Sequence, residues 1–439
     1  MSSAEERALV LNVGMPNQVP LAERGETYSL RTAKPDYVVF VCSRPSPGQR
    51  SSLALVEQYA GLVGLAPEQF ETLVLDDPDD LVAIYERTSE LLQRLRRERP
   101  HARIQVDYTA GTKSMSAGLA MAAIDEKDER VELRLVRGQR GEFTTVIPGT
   151  ELFRPVSRIH DLRARRSLGL VRAALERFDY AAAARWLDAL LEREITPGMA
   201  SQLQRARDLC RAFDAWDRWD LERAERLLGP YRPLQAGAQR AYERLAVLEQ
   251  LRIVRDAFEG KAELATAKDP YVAVEDLLFN AKRRAAQGRY DDAVARVYRA
   301  LELLAQIRLR AAYEVDTGSV DLARVPEAVK TELQRHPRRD GPLRVGLDWG
   351  WRILAAYERD PLGEWYRERG GRLRNWLNSR NSSILAHGLR PLDEAAWQSE
   401  GATGLELCRE ALARLTQSEQ RRPMRHAQFP GSELLEESA

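Results

Sequence analysis

Hydrophobic residues in this 439-residue chain follow two rhythms, and the change comes near residue 155. Before it, short apolar runs alternate with stretches of helical spacing. ALVLNVG (8–14), DYVVFVCS (36–43), the start of FETLVLDDPDD (70–80), ARIQVDYT (102–109), RVELRLVRG (130–138) and EFTTVIPG (142–149) read as strands. SSLALVEQYAGLVG (51–64), LVAIYERTSELLQRLRRERP (81–100) and KSMSAGLAMAAID (113–125) read as helices, the middle one ended by Pro100. Alternation of this kind specifies a doubly wound, parallel sheet. Such sheets bind ligands beyond the carboxyl ends of their strands, near the point where strand order reverses.

After residue 155 nearly every segment has the period of a helix. The expected fold is therefore α/β followed by all-α: a Rossmann-like domain over 1–155, a helical connector over 156–270 and a helical domain over 271–439. FDYAAAARWLDALL (178–191), WDLERAERLLGPY (219–231) and RYDDAVARVYRALELL (289–304) resemble one another, each opening on an aromatic near an Asp. Their uneven spacing favours packed helices over a solenoid. EGKAELATAKDP (259–270) reads as a linker, HPRRDGPLRVG (336–346) as a loop, and the tail from SEQRRPMRHAQFPGS (418–432) as loose.

The net charge of +1 carries no global polybasic signal for nucleic acid or membrane, while leaving room for a local basic cleft. Cys42, Cys210 and Cys408 are isolated, so neither disulfides nor a metal site is expected. The start, MSSAEERALVLNVG, lacks the pattern of a targeting segment, and no apolar run approaches about 18 residues. A cytoplasmic protein without a membrane partner is the expectation.

RIQVDYTAGTKSMSAGLA (103–120) is a strand, a Thr/Gly turn and a helix start. Orphan N–H groups and the positive end of the helix dipole make such a start a site for anions. Thr109, Thr112 and Ser114 add hydroxyls, Lys113 adds a charge, and Gly111 permits close approach. Ala117 and Gly118 are expected to let the helix pack closely on the sheet. This is not a P-loop: Thr112, not Gly, precedes Lys113, and 106–110 contains no Gly. The bland alternative is a turn whose Ser and Thr residues merely cap the helix. The other strand ends, Asn12-Val13-Gly14 and Ser43-Arg44, converge on the same edge. Together they predict a polar, anion-friendly pocket without a carboxylate nucleophile, suited to recognising a ligand.

A strand followed by Asp107-x-Thr109-x-Gly111-Thr112-Lys113-x-Met115 resembles the signature of CARF domains, the CRISPR-associated Rossmann-like sensors. LNVG at the end of the first strand and VCS at the end of the next are similar to that family's ligand loops, and the resemblance covers roughly residues 5–155. It implies a pocket for a cyclic oligoadenylate, lying across a homodimer axis and acting as an allosteric activator site.

The other motif is RNSSILAHG (380–388). If 380–387 is helical, Arg380 and His387 stand two turns apart on one face, with Asn381 beside them. Gly388 and Pro391 predict that the helix stops just after His387, where the dipole favours a protonated imidazole. An Arg–His face suits attack of a ribose 2′-OH on the adjacent phosphate. His387 moves a proton, Arg380 holds the phosphate and Asn381 orients either group, with no metal. DNA lacks the 2′-OH and is spared. Chance pairing of Arg and His in an arginine-rich helix is the alternative. The remaining histidines, His101, His160, His336 and His426, read as surface or structural residues.

Arg380-Asn381, five residues, then His387 is similar to the motif of HEPN ribonucleases. GRYDDAVARVYRALELLAQIRLRAAYE (288–314) resembles that family's opening helix. It places Arg296, Arg299 or Glu302 near the site, unless these only form ion pairs along the helix surface. The HEPN resemblance implies paired domains with a composite cleft, hence a homodimer. A CARF-like sensor followed by a HEPN-like nuclease resembles the accessory ribonucleases of type III CRISPR–Cas systems. Single-stranded RNA as substrate and cyclic tetra- or hexaadenylate as activator are what this implies. Two alternatives stay open. One is a ligand-responsive regulator that cuts nothing, although no compact basic recognition helix is present. The other is a ring nuclease using Thr109 or Ser43 on its own ligand.

Overall fold

The computed structural model describes residues 6–44, 51–126, 128–138, 150, 152–155, 159–231, 238–335, 341–380 and 389–437, leaving out the side chains of 153–155, 238–242, 379–380 and 436–437. The chain divides into two compact units, 1–169 with 189–201, and 170–188 with 202–439.

The first unit is built on β1 (Arg7–Asn12), α1 (Gly25–Ala33), β2 (Tyr37–Ser43), α2 (Val56–Val63), β3 (Phe70–Leu75), α3 (Leu81–Glu98), β4 (Arg103–Asp107), α4 (Lys113–Asp125), β5 (Val131–Arg137) and β6 (Leu152–Pro155). The sheet order is β3-β2-β1-β4-β5-β6. The first five strands run parallel, as expected; β6 pairs antiparallel with β5 at the edge. The strand expected at 142–149 lies outside the described residues.

Both sheet faces are covered, so the inner strands are apolar throughout instead of alternating with polar residues. Ala8, Val10, Val39 and Val106 meet Ile84 and Leu119 on one face, while Leu9, Leu11, Val38 and Phe40 meet Leu30 and Tyr59 on the other. The chain builds outward from β1 to β3 and then returns to place β4 on the other side of β1. The switch point therefore lies between the carboxyl ends of β1 and β4.

Gly118 does not serve sheet packing. A Cβ there would sit 2.6 Å from Cγ2 of Ile84, so the close approach is between α4 and α3, and Ala117 faces solvent. At the other end of α4, the buried Arg163 guanidinium donates to the carbonyls of Ala123 (2.6 Å) and Ile124 (3.1 Å), orphan acceptors at the helix terminus, and to that of Val131 (3.1 Å) at the start of β5.

Helices follow: α5 (Ile159–Glu176), α6 (Tyr180–Leu191), α7 (Pro197–Asp217), α8 (Leu221–Leu228), α9 (Ala238–Phe258), α10 (Val272–Ala286), α11 (Tyr290–Tyr313), α12 (Glu327–Gln334), α13 (Leu347–Ala356), α14 (Pro361–Arg380), α15 (Glu394–Ala396), α16 (Ala402–Ser418) and α17 (Leu434–Glu437). A π turn, Trp397–Gly401, joins α15 to α16. Among the described residues no helix is long and apolar enough to cross a membrane.

The three similar stretches share a turn. Phe178, Trp219 and Gly288 are left-handed (φ 54, 63 and 74°). In each case the next residue's N–H reaches back to a carbonyl five residues earlier: Asp179 to Ala174, Asp220 to Ala215, Arg289 to Arg284.

The other unit contains a bundle in which α10 packs on α11, α11 on α13 and α16, and α14 on α13 and α16. The 259–270 stretch belongs to this unit and is tied down: the Gln250 side chain accepts from Lys268 N–H at 2.6 Å, and Asp269 from Met424 N–H at 2.7 Å. The tail, too, is anchored. Arg421 pairs with Asp269, His426 bonds Asp276 at 3.0 Å, and Gln428 accepts from Arg283 at 2.7 Å. Phe429 is buried among Tyr180, Phe213 and Trp216. Arg283 and Arg284 both bind the buried Asp217, so this tail closes over a compensated charge network. The stretch expected to be a linker and the tail expected to be loose are both held in place, because their polarity is matched by partners far away in the chain.

Candidate functional site

At the switch point, the loop from β4 to α4 sits beside the end of β1. Gly111 has φ 88°, a conformation that L side chains resist, and a Cβ on it would press on Asn12 Cβ and Met115 Cβ at 3.2 Å each. Thr112 caps α4: its hydroxyl accepts from Met115 N–H (3.1 Å) and donates to the Pro78 carbonyl (2.5 Å). The Thr109 hydroxyl accepts from Val136 N–H at 2.8 Å and donates to Asp107. Both threonine hydroxyls are thus engaged inside the protein, binding this loop to the loop after β3 and to β5.

Two carboxylates organise these loops: Asp107, already part of the sequence signature, and Glu26, which the sequence did not single out. Asp107, at the end of β4, receives the Ser29 hydroxyl, the Thr109 hydroxyl and the Thr109 N–H (2.8 Å). Burial raises its pKa, and those donors offset only part of the rise. Glu26, in the first turn of α1, accepts from Gly14 N–H at 3.0 Å. Its only signal in the sequence was an acid at a helix start. Neither carboxylate is free to attack a ligand.

The uncommitted groups lie together at the start of α4. Among the described residues, the backbone N–H groups of Lys113 and Ser114, the Lys113 ammonium and the Ser114 hydroxyl have no partner. Lys113 is exposed and Ser114 half-buried. The Asn12 carboxamide is 1% exposed, and both its nitrogen and its oxygen are unpaired. These groups suit an anion carrying hydrogen-bonding edges.

The other expected site residues support the loops. Val13 and Met115 are core side chains on opposite sheet faces. Ser43 is buried, its N–H donating to the Ser52 hydroxyl at 2.9 Å. Arg44 is exposed and pairs with Asp76 at 2.9 Å.

In the helical bundle, α14 runs to Arg380, whose side chain is outside the described residues, as are Asn381 and His387. The structure describes the framework that carries them. One turn before Arg380, Trp376 is buried and its Nε1 donates to the Glu400 carbonyl at 2.7 Å, tying the end of α14 to the π turn. Gly404 of α16 lets that ring approach, since a Cβ there would lie 2.6 Å from it. Arg296 pairs with Asp292 at 3.1 Å and Arg299 with Glu302 at 2.9 Å, the surface ion pairs expected of an arginine-rich helix.

A family model described as the Csm6 HEPN domain matches residues 262–409. A protein of Thermus thermophilus described as CRISPR system endoribonuclease Csm6 is 26% identical over 339 residues, spanning 70% of this chain and 68% of that one. A solved structure of Enterococcus italicus Csm6 bound to cyclic hexa-2′-fluoro-hexa-dAMP aligns with a TM-score of 0.59 over 93% of this chain and 94% of the other. At 13% identity that likeness is one of fold. With its parallel sheet, switch-point loop and helical bundle, this chain has the fold of the CARF–HEPN proteins of the Csm6 type, and its residues 262–409 match their HEPN domain.

Proposed function

We propose that this chain is a CRISPR ribonuclease that cuts single-stranded RNA without a metal when a cyclic oligoadenylate occupies its N-terminal pocket. The observation that carries the reading is the set of unengaged donors at the start of α4, two N–H groups and the Lys113 ammonium, beside the unpaired Asn12 carboxamide. A ring of phosphates and adenines offers anions to the first and base edges to the second.

Two copies of the chain share the ring and present paired Arg380–His387 faces. The ring's greater affinity for one arrangement of the pair shifts the population toward it. In the cut, the ribose 2′-oxygen bonds to phosphorus and the 5′-oxygen leaves. The 2′-OH proton goes to a base and the departing oxygen takes one from an acid; His387 serves in one of these roles. Arg380 steadies the charge that builds on the phosphate, and Asn381 orients it. Thr109 and Ser43, the groups a ring-cleaving activity would use, have hydroxyls engaged within the protein, which favours sensing over cleavage of the ring.

The test incubates the purified chain with labelled RNA, a chelator and each ring size. Cleavage is expected with one ring only, to be lost in His387→Ala and no longer stimulated in Lys113→Ala. Cleavage that ignores every ring, or full activity in His387→Ala, overturns the assignment.

A further inference from the structure

The helical bundle carries a furrow that the reading above does not use. Between α10, α16 and the anchored tail lies a cavity of about 460 Å³ bordered by Glu275, Phe279, Arg409 and His426. Another, of about 470 Å³, runs along α16 from Ala402 to Ala413. The two share Arg409 and Ala413, so they form one furrow.

Along the α16 stretch of this furrow Glu406 and Glu410 pair with Arg372 and Arg369, whereas two cations near its other end have no such partner among the described residues. On α10 and α16, Arg283 and Arg284 bind Asp217, and Arg414 meets Glu364 and Glu368. Lys282 and Arg409 have no carboxylate partner among the described residues. Burial lowers the Lys282 pKa, and the Arg409 charge lowers it further.

Phe279 borders the cavity with Arg409, its ring centroid 5.9 Å from the Lys282 ammonium. The ring is fixed in place: His426 meets it edge-on at 5.1 Å, is stacked on Trp216, and is held by Asp276. Glu275, half-buried, has no hydrogen-bond partner among the described residues, and burial raises its pKa.

We infer that this furrow is a subsite for single-stranded RNA, with phosphates at Lys282 and Arg409, a base stacked on Phe279, and Glu275 accepting from the N–H edge of a base. Unpaired cations beside an immobilised aromatic are the elements of single-strand recognition. An apolar protein surface would leave both cations uncompensated. The inference rests on the ribonuclease reading for its substrate class, but it is tested by binding.

The experiment titrates the full chain into a labelled, 2′-O-methylated RNA that cannot be cut, reading fluorescence anisotropy at several salt concentrations. Lys282→Gln with Arg409→Gln is expected to weaken binding about tenfold and to flatten the slope of log affinity against log salt by about 1.4, two phosphate contacts' worth. Phe279→Leu is expected to weaken binding about fivefold or more with the slope unchanged. Unaltered affinity and slope in the double variant overturn the inference. So does an unaltered affinity accompanied by a dimer-to-monomer shift in sedimentation, which assigns the furrow to another copy of the chain. A wild-type chain that binds RNA through these residues and cuts none removes the nuclease reading and leaves the furrow. Normal cleavage with normal binding in the variants removes the furrow alone.

Discussion

Two glycine-to-alanine substitutions in neighbouring helices separate packing from propensity beside the proposed nuclease motif. A methyl at position 404 would stand 2.6 Å from Trp376 Cζ2, 2.7 Å from Cε2 and 2.8 Å from Val297 Cγ1. Carbon atoms rest comfortably at about 3.5–4.0 Å, so each neighbour must yield by about 1 Å. The ring has little freedom to do so, being buried and bonded through Nε1 to Glu400. At position 371, in the middle of α14, nothing lies within 4 Å of a new methyl. Both substitutions gain about 1 kcal/mol of helix propensity, so their difference isolates the overpacking cost, about 1–3 kcal/mol. Gly371→Ala is expected to raise stability by about 1 kcal/mol and Gly404→Ala to lower it by up to about 2 kcal/mol. Urea melts followed by tryptophan fluorescence measure both. Because Trp376 sits one turn before Arg380, Gly404→Ala is also expected to slow RNA cleavage under conditions where the chain is fully folded. Equal stability of the two variants would refute the packing argument. Undiminished cleavage by a destabilised Gly404→Ala would refute the link from the ring to the motif.

Thr109→Val removes a donor to the Asp107 carboxylate and the acceptor for Val136 N–H, a loss of about 2–4 kcal/mol that Thr109→Ser avoids; chemical denaturation of the pair distinguishes them. Phe429→Ala empties a buried site between Phe213, Trp216 and Tyr180 and is expected to cost about 3–5 kcal/mol, whereas a loose tail would give no change in the urea midpoint. Burial, assisted by the Arg163 charge, holds the His160 pKa below its ordinary value. The unfolded chain therefore takes up a proton below about pH 6.5 that the folded chain refuses, and stability is lost as pH falls through that range. His160→Gln should flatten that part of the curve of Tm against pH, and an unchanged curve would count against it.

The change of hydrophobic period at residue 155 made the architecture legible, because strands buried on both faces and amphipathic helices leave different spacings. What stayed hidden was compensation at a distance. KDP at 268–270 and RRPMRHAQFP at 421–430 look solvated when read alone. Folded, Asp269 takes Arg421, Asp276 takes His426, and Gln428 takes Arg283, so the polarity is satisfied internally. Likewise, the shared aromatic–Asp opening of three helices resembled a weak repeat. At two of them it is a left-handed residue, Phe178 or Trp219, placed before an N-capping Asp.

The same reasoning applies to the pocket. The sequence placed this loop between a strand and a helix start, and the fold sets it at the switch point. The sequence could not assign roles within the loop, because residue type gives the number of hydrogen bonds a group can make but not who receives them. Thr109 is engaged by Asp107 and Val136, Thr112 by Pro78 and Met115, and Gly14 by Glu26. Groups so committed hold the shape of the pocket. Removing them should lower stability and ligand affinity together. Lys113, Ser114 and Asn12 retain free capacity among the described residues, so changing them should weaken affinity with little change in stability. Lys113→Ala and Thr109→Val therefore make a decisive pair. If both lose affinity in proportion to stability, the division between scaffold and contact is wrong.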